Sequence, residues 1–578
     1  MDNSFINQKI DDMTLEQKIG LLMTVVIEGT TYTPAFEGYI TDYHCGGIRV
    51  VPSDKYQQKL IISKKYRDAG SEHLERLYIT NKDGEAPSVT LPQYAETIKT
   101  YLTKTIENSG VPLRVQFDQE GGFSRDLTFG GAHVFPKPMG IVAGGDPKMA
   151  YEAANALGRM AKACGLNMIH SPILDVNVNP ENPEIYTRAF SDSAEVVAEY
   201  ALQQARGFKD AGIIATGKHF PGRGDSTMDA HHNIPLIDID YDTLWNRELL
   251  PYRTLIENDV LPAIMTAHTI YPAVDDQEVA TLSEKMLKGM LRDKMNFKGV
   301  ITTDAIGMGG IILKYDIVTA CLKTLQAGAD MFLLRMVNTA DPIGTVIPKV
   351  INRIKRALED NELTEKELDE KVYRILESYD NAGLFKNDGM PEESVEDVLN
   401  DKHIIEVCKN INHKSICILR DEDSLLPLAE NTRALVIEQR YPRTYCPHDR
   451  SWYSGILYDK LSRYSNELSY IETNSIATAE EEETVFEHCD KFDLIIMSNW
   501  FYRSNIKSNS ALVEKLIARG RKVLILANTP YENQCIPSAA RNVIVQLGVT
   551  PLSIEAAADI IFGKKEAKGK WPIQYKPA

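Results

Sequence analysis

The 578-residue sequence lacks several patterns that mark common functional classes. No run approaches the roughly 20 apolar residues of a membrane-spanning helix, which predicts no membrane partner. Lysine and arginine, 64 in all, are outnumbered by 81 aspartates and glutamates and form no long cluster. Because nucleic-acid binding depends on clustered basic side chains, no nucleic-acid partner is expected. The glycine-rich loops that bind nucleotides, of the GxGxxG and Walker forms, are also absent.

The eight cysteines form no CxxC pair, and several lie in apolar runs. Scattered cysteines of this kind favour reduced, structural thiols over disulfides. The first residues contain neither the basic nor the apolar segment of a signal peptide, so a cytoplasmic location is predicted. The cysteines are Cys45, Cys164, Cys321, Cys408, Cys417, Cys446, Cys489 and Cys535.

Short apolar runs alternate with longer helical patterns over residues 10–385, which predicts a parallel α/β domain. Seven or eight repeats suit a (β/α)8 TIM-like barrel better than an open sheet. The predicted strands are residues 47–51, 114–117, 168–174, 213–216, 263–266, 300–303 and 331–334. The predicted helices are residues 149–164, 194–210, 241–258, 283–293, 317–327, 341–358 and 364–381.

The predicted barrel domain covers residues 1–385 and includes a charge-rich excursion at about 51–100. An excursion of that length suits a cover for a substrate mouth or a contact with another subunit, which leaves room for an oligomer. Residues 386–400 predict a linker. A second alternation over 401–578 predicts a smaller α/β sandwich domain, with strands at residues 415–419, 434–437, 494–497, 523–526 and 543–545.

Polar side chains stand at the ends of five predicted barrel strands. Barrel enzymes place their chemistry at this C-terminal rim. An active site is therefore predicted there, with contributions from Asp118, Asp175, Lys218, His268 and Asp304.

The densest polar segment is residues 218–225, KHFPGRGD, followed by Asp229 and His231. Side chains two apart in extended backbone face the same way, so Asp229 can hold one ring nitrogen of His231 and leave the other free. The donors and acceptors of the segment, Arg223 and Asp225 among them, suit a hydroxyl-rich substrate such as a sugar. The alternatives are an internal ion-pair network and an incidental surface pair.

Other rim residues allow more than one interpretation. Asp304 follows an apolar strand and precedes a glycine-rich loop, so it suits a nucleophile, a base, a metal ligand or a helix N-cap. Asp118, with Arg125 nearby, and Arg188 are placed to bind sugar hydroxyls or to form structural ion pairs.

A metal-dependent hydrolase is the less favoured interpretation of the histidines. His219, His231, His232 and His268 together with Asp304 contain suitable ligand types. The HxH pair expected on the first strand is missing, and His231 and His232 are adjacent, so their side chains diverge. No metal and no other cofactor is expected.

Taken together, these motifs resemble the glycoside hydrolase family 3 β-N-acetylglucosaminidases, of the NagZ type. The resemblance covers most of residues 10–385, in the family's order, and extends more loosely to the second domain. It rests on the KHFPGRGD segment with Asp229-Ala230-His231, on Asp118-Gln119-Glu120-Gly121-Gly122, Asp175-Val176-Asn177, Arg188-Ala189-Phe190, Met265-Thr266-Ala267-His268 and Thr303-Asp304-Ala305.

The resemblance implies a retaining, exo-acting hydrolase that removes terminal β-linked N-acetylhexosamine from a small carbohydrate. It assigns the nucleophile to Asp304 and the acid/base role to His231 held by Asp229, with histidine replacing the usual second carboxylate. The substrate-binding residues expected are Asp118, Arg125, Arg188, Lys218, His219, Arg223, Asp225 and His268.

Two residues depart from the family pattern: Arg223 stands where histidine is usual, and Ala230 where serine is usual. A neutral imidazole does not repel anions, so a phosphorylase that uses phosphate in place of water, with Arg223 binding the anion, is an alternative. A family 3 β-glycosidase of other sugar specificity and a catalytically silent glycan-binding protein are two more.

Overall fold

A computed structural model describes residues 3–28, 32–51, 90–122, 126–335, 343–440, 455–501 and 508–577. The first domain contains eight parallel strands, in the order β8-β1-β2-β3-β4-β5-β6-β7. A bridge between Ala305 and Leu333 connects the two outer strands and closes the sheet into a barrel. The strands are β1 (Met23–Glu28), β2 (Gly47–Val51), β3 (Arg114–Phe117), β4 (Met168–Ile169), β5 (Ile214–Phe220), β6 (Ala263–Thr266), β7 (Val300–Thr303) and β8 (Phe332–Leu334).

The barrel prediction is confirmed, although two strands differ from their predicted bounds by more than one residue. β4 is only two residues long where seven were predicted, and β5 continues four residues further, to Phe220. The sequence interpretation missed β1, which pairs with both β2 and β8. The predicted excursion falls largely on residues 52–89, which lie outside the described part of the chain.

The helices surround the barrel and begin with sequence-encoded caps. Thr14, Thr90 and Thr364 each accept a hydrogen bond from the third helical residue, whose side chain returns one, forming capping boxes. The helices are Asn3–Asp12, Leu15–Leu21, Pro34–Thr41, Leu91–Ser109, Pro138–Ala143, Lys148–Ala163, Ala194–Asp210, Tyr241–Thr243, Leu250–Glu257, Gly309–Ile312, Ile317–Ala327, Ile343–Glu359 and Glu365–Asn381. Short 3-10 turns occur at Tyr186–Arg188 and Ala280–Leu282, and π-helical segments at Leu244–Glu248 and Lys285–Lys294.

The stretch predicted as a linker contains a helix, Val395–Leu399, between loop residues. Its Val395 and Val398 are buried in the barrel's hydrophobic core, together with Ile404 and Ile411 of the next helix, Lys402–Lys414. The connection therefore packs against the first domain along its second half. No helix in the described ranges is long and apolar enough to cross a membrane.

The second domain is built on one six-stranded sheet, in the order β9-β14-β13-β12-β10-β11. Its strands are β9 (Ile416–Asp421), β10 (Ala434–Gln439), β11 (Leu468–Thr473), β12 (Leu494–Asn499), β13 (Lys522–Ala527) and β14 (Asn542–Gln546). All pairs are parallel except β9 with β14, and β11 was not predicted. Separate apolar clusters cover the two faces of the sheet. The helices of this domain are Ile456–Ser462, Ala479–Cys489, Ser510–Ala518, Glu532–Cys535 and Pro551–Ile561.

The second domain contacts the barrel at the rim that contains the polar strand ends. Asn177 donates a hydrogen bond of 2.8 Å to the Tyr531 hydroxyl. The rings of Tyr186 and Phe501 meet edge to face, with centroids 5.7 Å apart. These contacts support the loops that follow β4 from the side.

Candidate active site

Two loops of the barrel rim pack tightly against each other and shape the centre of the site. A Cβ atom at Gly224 would lie 1.7 Å from the carbonyl oxygen of Val176, so only glycine permits this approach. The Asn182 amide then donates to the carbonyl oxygens of Arg223, at 2.7 Å, and Gly224, at 3.1 Å. The KHFPGRGD loop is thereby held against the loop after β4, with Arg223 turned inward and buried.

A second pair of loops brings Asp304 and His231 to the same part of the rim. The amides of Gly309 and Gly310 donate hydrogen bonds of 3.0 Å to the carbonyl oxygens of His231 and Ala230. Ala230 is fully buried in a small apolar cluster that also contains Ala305. The departure from serine at position 230 therefore suits an apolar environment.

A network of buried ion pairs lies beside β3 and β5. Lys218 contacts Asp118 at 2.9 Å and Glu120 at 2.6 Å, and Arg188 forms a two-pronged pair with Glu120 at 2.6 and 3.0 Å. Arg49 reaches the other oxygen of Asp118 at 2.8 Å. Burial alone would raise the pKa of Asp118, but the charges of Arg49 and Lys218 outweigh it and hold that pKa well below its ordinary value.

His219 is oriented by the carboxylate of Asp175. Its Nδ1 lies 2.8 Å from Asp175, which also accepts a hydrogen bond of 2.7 Å from the Arg223 amide. Burial and the positive charges of Arg223 and Lys218 hold the pKa of His219 well below its ordinary value, so the ring is neutral. With its Nδ1 proton donated to Asp175, its Nε2 is an acceptor. Burial raises the pKa of Asp175 to about 6 against the opposing effect of the nearby arginines.

Asp304 lies at the end of β7, and its side chain is 18% exposed. One oxygen accepts a hydrogen bond of 2.8 Å from the Ala305 amide, and the other lies 3.6 Å from the Arg223 guanidinium. Burial opposes ionisation, but the positive charge of Arg223, with a smaller contribution from His231, lowers the pKa of Asp304 to about 2. The carboxylate is therefore ionised at neutral pH and suited to nucleophilic attack.

Asp229 and His231 form the predicted dyad. The carboxylate of Asp229 lies 2.6 Å from His231 Nδ1 and accepts a hydrogen bond of 2.8 Å from the His231 amide. Burial lowers the pKa of His231, but the carboxylates of Asp229 and Glu184 outweigh burial and raise it. The opposite holds for Asp229, whose pKa falls despite burial because His231 stabilises its charge. This arrangement holds the ring through Nδ1 and favours its protonated form.

Glu184 is a site residue that sequence reasoning missed. It is 3% exposed and lies between Arg223 Nε, at 3.3 Å, and His231 Nδ1, at 3.4 Å. Within the described residues, neither of its oxygens has a hydrogen bond of normal geometry. Glu120 and Arg49 were missed as well. Arg49 could have been recognised as a charged residue within the apolar run of β2. Glu120 could have been recognised because it belongs to the same motif as Asp118.

Glu184, Asp229 and His231 place one ligand atom each within 4.8 Å of one another, a spacing that suits a cation. Two observations fit a metal poorly. His231 Nδ1 is already bonded to Asp229, and the positive guanidinium of Arg223 lies next to Glu184, where it would repel a metal cation. These three side chains therefore suit proton transfer better than metal binding.

Two predicted substrate-binding residues, Asp225 and His268, are placed differently from the rest. Asp225 pairs with Arg247 at 2.7 Å, on the outer side of the loop, with its side chain 30% exposed. His268 is fully buried, and its two ring nitrogens contact Thr281 and the Ala305 carbonyl. Burial lowers its pKa to about 4, so it is a neutral support for the turn that bears Asp304. Arg125 lies outside the described residues.

The chain matches known proteins over both domains. The model of the glycosyl hydrolase family 3 N-terminal domain matches residues 14–378. A β-hexosaminidase A from Pseudoalteromonas piscicida is 34% identical over 284 residues, 46% of this chain and 47% of that protein. A β-N-acetylglucosaminidase/β-glucosidase from Cellulomonas fimi is 25% identical over 453 residues, 76% of this chain and 69% of that protein. The first match thus spans about half the length of that relative.

Among solved structures, a glycoside hydrolase family 3 β-N-acetylglucosaminidase from Paenibacillus sp. str. FPU-7 superposes with a TM-score of 0.83. It is 26% identical in sequence, and the superposition covers 98% of this chain and all of that one. Both domains therefore share their arrangement with a solved protein of this type.

Proposed function

Because the chain belongs to glycosyl hydrolase family 3, we propose that it removes terminal β-linked N-acetylglucosamine, or a related N-acetylhexosamine, from small carbohydrates with net retention. The observation that carries the proposal is that one part of the barrel rim holds both an ionised carboxylate, Asp304, and a protonatable histidine, His231. The sugar specificity is supported by the β-hexosaminidases among the relatives.

In the first step, the Asp304 carboxylate attacks the anomeric carbon and forms a glycosyl ester. The bond to the leaving oxygen breaks, and His231 Nε2 gives that oxygen a proton. The raised pKa of His231 keeps this proton available near neutral pH. Asp229 holds the ring and stabilises its positive charge, as the carboxylate does in a hydrolase triad.

In the second step, His231, now neutral, accepts a proton from water at Nε2. The water oxygen attacks the anomeric carbon, and the electron pair of the broken ester bond returns to Asp304. The free sugar leaves with its original β configuration, because two inversions have occurred at the same carbon.

The ion-pair network around Lys218 forms the proposed sugar clamp. Lys218 and Arg188 donate, while Asp118 accepts and neutral His219 receives a hydrogen bond from a hydroxyl at Nε2. Their mutual ion pairs hold these groups in place before substrate arrives, so little reorganisation is needed on binding.

A panel of aryl β-glycosides carrying N-acetylglucosamine, N-acetylgalactosamine, glucose or xylose tests the proposal. We expect turnover of the N-acetylhexosaminides and a loss of at least about 1000-fold in the Asp304→Asn variant. A preference for glucose or xylose would contradict the sugar assignment. Near wild-type activity in Asp304→Asn would contradict the nucleophile.

A further inference from the structure

Glu184 places a third carboxylate beside the two reacting groups. It is buried, and it lies within 3.4 Å of the acid/base histidine and within 3.3 Å of Arg223. Arg223 in turn lies 3.6 Å from Asp304. The four side chains form a row of alternating charge, Asp304, Arg223, Glu184 and His231.

This row changes the expected role of Arg223. Its guanidinium lies between Asp304 and Glu184, so its positive charge is shared by two carboxylates. When His231 is neutral, the carboxylates of Asp304, Glu184 and Asp229 face the guanidinium of Arg223, while the neighbouring guanidinium of Arg188 is paired with Glu120, so this group of side chains carries a net negative charge. Esterification of the sugar to Asp304 removes one negative charge, but the two negative charges of Glu184 and Asp229 still exceed the single positive charge of Arg223.

We infer that Glu184 sets the acceptor specificity of the site: it excludes anions, so that water and not inorganic phosphate takes the sugar from Asp304. The inference rests on the proposed covalent mechanism and goes beyond it, because histidine as acid/base would by itself admit either acceptor. The fixed charge of Glu184 restores, beside the histidine, the repulsion that a carboxylate base would exert.

The two outcomes differ only in the second step. With water, the oxygen bonds to the anomeric carbon, its proton passes to His231, and Asp304 leaves as carboxylate. With hydrogen phosphate, a phosphate oxygen forms that bond, Asp304 leaves in the same way, and the product is a sugar 1-phosphate. Phosphate brings negative charge next to Glu184 and Asp229, whereas water brings none.

The wild-type protein tests the inference without any substitution. An aryl β-N-acetylglucosaminide is turned over with methanol, azide or inorganic phosphate added, at ionic strength matched with potassium sulfate. We expect methyl glycoside from methanol, while azide and phosphate leave free sugar as the product. Glycosyl azide or sugar 1-phosphate formed as readily as methyl glycoside would overturn the inference and leave the covalent mechanism standing. If no N-acetylhexosaminide is turned over in any medium, the proposed function itself fails.

Substitution then tests the residue. Glu184→Gln is expected to increase the ratio of sugar 1-phosphate to free sugar about 10- to 100-fold, the effect of removing one charge a few ångströms from the acceptor. Glu184→Asp, which keeps the charge, should retain the wild-type ratio. Glu181→Gln removes the same charge from an exposed position of the same loop and is the matched control.

The ratio of products does not depend on the overall rate, so a slow variant still reports on specificity. An unchanged ratio in an active Glu184→Gln variant would overturn the assignment to Glu184. If that variant does not fold, the wild-type comparison of methanol with the two anions decides.

Discussion

The carboxylate of Asp229 is expected to control both the rate and the pH range of catalysis through one contact. Asp229→Asn keeps the shape of the side chain and removes its charge from a position 2.6 Å from His231 Nδ1. A hydrogen bond to a charged group contributes about 1.5–3 kcal/mol, which corresponds to a decrease of about 10- to 150-fold in kcat. Both side chains are largely shielded, with 14% and 23% exposure, so solvent screening takes only part of this effect.

The sign of the pH effect follows from the raised pKa of His231. The wild-type histidine stays protonated above its ordinary pKa, so kcat/KM should persist into the neutral range and fall as pH rises through the raised value. In Asp229→Asn that pKa falls, and the alkaline limb of the profile should move to lower pH. Glu184 remains in place and preserves part of the shift.

The assay compares aryl β-N-acetylglucosaminides with good and poor leaving groups across pH 4–9. Poor leaving groups need the proton from His231, so the variant should lose more activity on them. Asp238→Asn, on the same stretch of chain with an exposed side chain, is the matched control and should behave as wild type. Equal losses for all leaving groups, or an alkaline limb that stays in place, would refute this account of the dyad.

Two further predictions concern the second domain. Tyr531→Phe removes the hydroxyl that accepts a hydrogen bond from Asn177. One such hydrogen bond contributes about 1 kcal/mol, so the loss of support for the loop that carries Arg188 should lower kcat/KM about fivefold. Unchanged kinetics would show that the contact between the domains is dispensable. Burial raises the pKa of Glu438 to about 8. Protonated Glu438 therefore contributes its full stability below about pH 4.5, and this contribution is lost as pH rises to 8. Over that range the free energy of unfolding falls by about 1.4 kcal/mol per pH unit. Glu438→Gln should therefore have a higher melting temperature than wild type at pH 9 and a similar one at pH 4.5. Equal melting temperatures for the variant and wild type at both pH values would contradict this prediction.

The barrel could be predicted because apolar runs alternated with helical patterns and five of the predicted strands ended in polar residues. β1 was missed since its apolar run directly follows the helix Leu15–Leu21, and a short apolar run next to a helix does not reveal its own type. β4 was overestimated because regular pairing ends at Ile169, and only an isolated bridge between Ile173 and Lys218 continues it.

The site was predictable where its geometry is local. Asp229 and His231 are two residues apart and make the predicted contact, but they do so in a turn, where the Asp229 carbonyl accepts from the His232 and Asn233 amides, and not in the extended backbone that was assumed. Contacts between distant loops were not accessible: Glu184 meets Arg223 and His231 only because the Gly224 backbone packs against Val176. Asp225 was predicted to bind substrate because it belongs to the dense polar motif, but its side chain points outward and pairs with Arg247.

The central claim is that Asp304 forms a covalent bond to the sugar. The most direct measurement incubates the protein with a 5-fluoro N-acetylglucosaminyl fluoride, which slows release of the intermediate, and locates the added mass by peptide mapping. The account predicts one equivalent of sugar on the peptide containing Asp304 and none in Asp304→Asn. Turnover without any adduct, or an adduct on Glu184 or another carboxylate, would contradict it.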